Sequence, residues 1–194
     1  MVRETRQMLD ATARKKGRKK LLLGVRVGPS LADPKGTEYP GGDVRNDISC
    51  RELGLDVKTW IEEELVDYVC PSLFWPRFPG LPKTAEFVAL AKNKNVGTYP
   101  TIFPIPKWID EGPIAEADIA KCLRYRGELG AAALRAYEDG ADGLSTFNWV
   151  PHHQSGMVKY PMREKWGLGC IKEQMAILPH FRSAAALREY LRLG

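Results

Sequence analysis

The sequence predicts an α/β protein built from parallel βα repeats with four strands. Short apolar, β-branched runs near residues 20–27, 67–72, 96–102 and 143–149 alternate with helical stretches, and such alternation builds parallel sheets through crossover helices. The connections after these runs are also longer and richer in glycine, proline and aromatic residues than those before them. That asymmetry is expected where strand C-termini carry function and strand N-termini carry stability.

Residues 2–16 read as a polar helix closed by Gly17, which suits the left-handed position after a helix end. The first strand follows at 20–27, and a loop dense in Gly, Pro, Asp and Asn runs from 28 to 47. Asp56 is a natural N-cap for a helix over 57–66, where Val57, Trp60, Ile61 and Leu65 share one apolar face. The second strand, 67–72, leads into an aromatic, proline-rich loop. A helix over 83–95, with Phe87, Leu90 and Ala91 inward, precedes the third strand at 96–102. An alanine-rich helix over 118–138 ends at Asp139-Gly140, and the fourth strand occupies 143–149. Two closing helices are predicted at 164–175 and 183–193, with Leu178-Pro179-His180 between them.

At 194 residues the chain forms one domain, 1–194, shorter than the ~250 residues of a complete eight-stranded βα barrel. With 44% hydrophobic and 27% charged residues the composition is that of a soluble globular protein, and no stretch is long and apolar enough to span a membrane. Leu21-Leu22-Leu23-Gly24-Val25 is interrupted by Arg26 and lacks a cleavage site, so a cytoplasmic location is expected. Cys50, Cys70, Cys122 and Cys170 are too far apart for a zinc knuckle and read as free thiols. Much of the net charge of +5 comes from Arg14, Lys15, Lys16, Arg18, Lys19 and Lys20, which read as a solvated turn. Nucleic acid is therefore not an expected partner, although binding through this run would be strongly salt-dependent.

Three stretches carry a family resemblance: Met8-Leu9-Asp10 through Leu21-Leu22-Leu23-Gly24-Val25-Arg26-Val27; Gly54-Leu55-Asp56-Val57-Lys58-Thr59-Trp60 with Leu65-Val66-Asp67; and Gly140-Ala141-Asp142-Gly143-Leu144-Ser145-Thr146-Phe147-Asn148-Trp149. In this order they resemble the uncharacterised family-10-like glycosyl hydrolases of planctomycetes and other bacteria. The resemblance implies that the chain is equivalent to the C-terminal half of a TIM barrel, with the first four strands preceding Met1. It also implies carbohydrate as the partner. A half-barrel would expose sheet edges, so homodimer formation or pairing with a missing N-terminal half is expected as well.

Glycoside hydrolysis needs two carboxylates flanking the scissile bond. No predicted strand end supplies a pair, and the candidates are loop acids: Asp33 and Glu38 after the first strand, Asp110 and Glu111 after the third. The simpler reading of all four is as solvated loop acids. Trp75, Trp108 and Trp149 fall in or at the start of three different strand-to-helix connections, where they could stack sugar rings or close a hydrophobic rim. Arg26 has the opposite parity to Leu23, Val25 and Val27, which sets it on the face away from the helices. Asn148 and Tyr99 at the ends of the fourth and third strands complete the predicted binding set of Arg26, Trp75, Tyr99, Asn148 and Trp149. His152 and His153 lack a carboxylate at ligand spacing, so no metal is expected, and no glycine-rich phosphate loop calls for a nucleotide cofactor. Ser30, Ser72 and Ser145 lack a nucleophile-elbow context. The sequence leaves open whether the chain is a glycoside hydrolase or a non-catalytic carbohydrate-binding or self-assembling module.

Overall fold

The computed structural model describes residues 1–31, 48–73, 80–103, 119–146 and 175–193. In chain order the elements are α1 (Val2–Lys15), β1 (Gly24–Val27), α2 (Val57–Glu62), β2 (Tyr68–Pro71), α3 (Thr84–Ala91), β3 (Gly97–Thr98), β4 (Thr101–Ile102), α4 (Ile119–Glu138), β5 (Ser145–Thr146), a 3-10 helix (Leu178–Arg182) and α5 (Ala184–Leu193). Close to half of the described residues are helical.

The strands overturn the predicted fold class. In place of four parallel βα repeats, the described residues form a three-stranded parallel sheet, ordered β1-β2-β3, and a separate two-stranded parallel sheet of β4 and β5. The third predicted strand is divided at Tyr99-Pro100. Proline has no amide to donate to a ladder, so pairing with β2 ends there; Tyr99 N still donates to Val69 O, at 2.9 Å, and the chain resumes as β4 against β5. Each strand holds two to four residues, and the arrangement is not the four-stranded half of a TIM barrel.

Local signals place the helices well. Gly17, with φ of +63°, ends α1 in a paired motif in which Gly17 N donates to Arg14 O at 3.1 Å and Arg18 N to Ala13 O at 2.9 Å. The Asp56 carboxylate accepts from Thr59 N at 3.2 Å and caps α2. This helix stops four residues before the predicted end, since Glu64 adopts φ of 53° and Leu65 N turns back to Trp60 O at 2.9 Å. Helix α4 ends where Gly140 takes φ of +93°, and Ser183 caps α5 by accepting from Ala186 N at 3.1 Å. Residues 164–174 of the helix predicted at 164–175, and the end of the fourth strand, 147–149, lie outside the described residues.

Two apolar cores result. One joins Val27 and Val69 to Val57, Ile61, Phe87 and Ala91 of the flanking helices. The other gathers Ile102, Tyr125, Leu129, Ile177, Phe181 and Leu187 around α4 and α5. Fully burying a side chain such as Ile61 or Leu129 contributes about 1.5–3 kcal/mol, so each cluster is a substantial anchor.

Candidate functional site

Strand alternation gives the first sheet two unlike faces. Leu23, Val25, Val27 and Val69 join the core under the helices, as the parity of Arg26 requires. The other face carries Gly24 and Arg26 on β1, then Tyr68 and Cys70 on β2, with Gly24 opposite Tyr68 and Arg26 opposite Cys70. Gly97 of β3 is registered with Tyr68 on its other side.

The glycines on this face are required by the tyrosines. A methyl group at Gly24 would collide with the Tyr68 ring, and one at Gly97 or Gly143 would come within 2.6 Å or 2.8 Å of the Tyr99 ring. The two rings therefore lie across bare backbone, and they meet edge to face with centroids 5.7 Å apart. Both residues are half-buried.

Arg26 is exposed and holds its guanidinium 5.7 Å from the centre of the buried Phe103 ring, a cation–π arrangement. Desolvation lowers its pKa, opposed by the neighbouring Cys70, but a guanidinium remains a cation at any working pH. Burial raises the Cys70 thiol pKa; a hydrogen bond with Ser145 and the charge of Arg26 oppose that rise without cancelling it. Near neutral pH Cys70 is thus a neutral thiol rather than a thiolate nucleophile. The face offers one planar cation, two half-buried tyrosines with their phenolic hydroxyls, and the hydroxyl of Ser145.

Of the predicted site residues, Arg26 and Tyr99 are brought to this one face. Trp75, Asn148 and Trp149, like Trp108, lie outside the described residues, as do Asp33, Glu38, Asp110, Glu111, His152, His153 and Cys170. Sequence reasoning missed Tyr68, Cys70, Phe103 and Ser145. A signal existed for two of them: Cys70 and Ser145 each follow by three positions an aspartate, Asp67 or Asp142, that precedes its strand.

These aspartates occupy equivalent places. Asp67 N donates to Leu23 O at 2.8 Å while its carboxylate accepts from Leu23 N at 2.6 Å; Asp142 N donates to Thr98 O at 3.0 Å while its carboxylate accepts from Thr98 N at 2.8 Å. Asp67 thus ties the start of β2 to the residue before β1, and Asp142, three residues ahead of β5, is tied to Thr98 of β3.

Among the described residues no three His, Cys, Asp or Glu side chains group as a metal site, and no helix is long and apolar enough to cross a membrane. No model of a known protein family matches the chain. No curated protein matches it significantly either.

Proposed function

We propose that this chain binds carbohydrate on the open strand face centred on Arg26 and Tyr99, as a relative of the family-10-like glycosyl hydrolases. One observation carries the reading: Tyr68 and Tyr99 are laid over glycine backbone, half-buried, beside an exposed arginine. Sugar rings stack their C–H faces on aromatic side chains, while planar cations and hydroxyls take the ring oxygens and hydroxyl groups. Trp75, Asn148 and Trp149 belong to the same proposed binding set on the sequence reading, and all three lie outside the described residues. Hydrolysis enters through the loop acids Asp33, Glu38, Asp110 and Glu111, because the strand face itself holds no carboxylate among the described residues.

Affinity electrophoresis in gels containing soluble polysaccharides tests the assignment. A retarding polysaccharide should lose its effect on Arg26→Ala and on Tyr99→Leu, the second of which keeps an apolar cover over Gly97 while removing the ring. Undiminished retardation of both folded variants overturns it. Release of reducing ends from the retarding polysaccharide then separates an enzyme from a binding protein.

A further inference from the structure

We propose that Arg14, Lys15, Lys16, Arg18 and Lys19, at the C-terminal end of α1, form a docking surface for the phosphate backbone of a nucleic acid. All five side chains are exposed, and none takes part in an ion pair among the described residues. That sets them apart from their neighbours. Arg3 pairs with Glu63 at 2.6 Å, Arg6 with Asp10 at 2.7 Å and Asp67 at 3.0 Å, and Lys20 with Asp67. Asp10, Glu63 and Asp67 are thus committed to other cations, and among the described residues no carboxylate pairs with any of the five.

Helix electrostatics explain only part of the cluster. Cations in the last turn complement the negative end of the helix dipole, which accounts for Arg14 and Lys15. Arg18 and Lys19 lie beyond the Gly17 turn and gain little from it. The scaffold beneath is rigid: Arg6 and Ala13 are buried, and the paired Gly17 and Arg18 amide bonds fix the direction of the chain.

The chemistry selects the partner. Val2 and Ala13 of α1 pack inward, and the exposed Met1 and Met8 lie about two turns apart toward the end of α1 away from the cations, which is not the continuous apolar stripe that insertion into a lipid surface uses. Residues 11–22 contain no aromatic side chain on which a base or a sugar face could stack. What remains is a set of closely spaced cations, which matches the regularly charged backbone of a duplex.

Fluorescence anisotropy with a labelled random-sequence DNA duplex tests this on the whole chain. Binding should weaken with salt along a log–log slope of about −4 to −5, a loss of several hundredfold between about 50 and 200 mM. The variant Lys15→Gln/Lys16→Gln/Arg18→Gln/Lys19→Gln, shown folded by circular dichroism, should bind roughly a hundredfold more weakly or not at all. Absence of duplex binding at low salt, equal binding by the variant, or stronger binding to phosphatidylserine vesicles or heparin than to the duplex would each overturn the proposal. Arg26→Ala should bind the duplex as the wild type does, so this surface and the carbohydrate face fail or succeed separately.

Discussion

Asp67 shows how one side chain sets the frame of the site. Its carboxylate is 8% exposed and accepts from Arg6, Lys20 and the Leu23 amide. Burial works against its charge, but the hydrogen bonds from Lys20 and Leu23 and the charges of Lys20 and Arg6 prevail and hold its pKa below the ordinary value. Asp67→Ala strands the buried Arg6 guanidinium with Asp10 as its remaining acid, and breaking such a pair costs about 3–5 kcal/mol, readable in urea denaturation. The pH dependence has a definite sign. A depressed folded pKa contributes stability above the unfolded carboxylate value of about 3.9 and loses it as pH falls through the folded value. Asp67→Asn should therefore flatten the acid limb of the stability profile, and an unchanged limb would contradict the assignment. The sequence marked Asp67 as the start of a strand and as part of a short family-like stretch, but not as a partner of Arg6 or Lys20. Its partners Arg6 and Lys20 are 61 and 47 positions away, and pairing at that distance leaves no local pattern.

Helices were more legible than strands because their signals are local. Gly17, Asp56 and Asp139-Gly140 each act within a few residues of the end they define. The division of the third strand hinges on Pro100, which is visible in the sequence, but its consequence depends on which neighbours compete for the two halves. Helix α4 offers a test at this scale through two glycines. Gly127 is exposed with nothing near its missing Cβ, whereas a methyl at the buried Gly130 would come within 2.6 Å of Leu191 on α5. Gly127→Ala should raise stability by about 0.5–1 kcal/mol through helix propensity alone. Gly130→Ala should fall short of that gain or lose stability, because Leu191 must move. Equal gains in thermal melts would contradict the close packing of α4 and α5.

Across the described residues, two apolar cores flank the short strands, and one strand face of the first sheet is turned away from α2 and α3. Part of that face was legible: the parity of Arg26 against Leu23, Val25 and Val27 follows from the twofold alternation of a strand. Tyr68, Cys70 and Ser145 were not, because placing them near Arg26 requires cross-strand register, which arises from pairing between strands far apart in the sequence and not from any single strand. The glycines were the unread clue, since Gly24, Gly97 and Gly143 are spaces filled by tyrosine rings from elsewhere in the chain. The measurement that bears most directly on the carbohydrate face is an amide and side-chain NMR titration with the polysaccharide that retards the protein. Binding there predicts shifts concentrated at Gly24, Arg26, Tyr68, Cys70, Tyr99 and Ser145, with Val57, Ile61 and Phe87 unmoved beneath the opposite face. Shifts confined to the helices, or none at a polysaccharide concentration that retards the chain, would contradict the account.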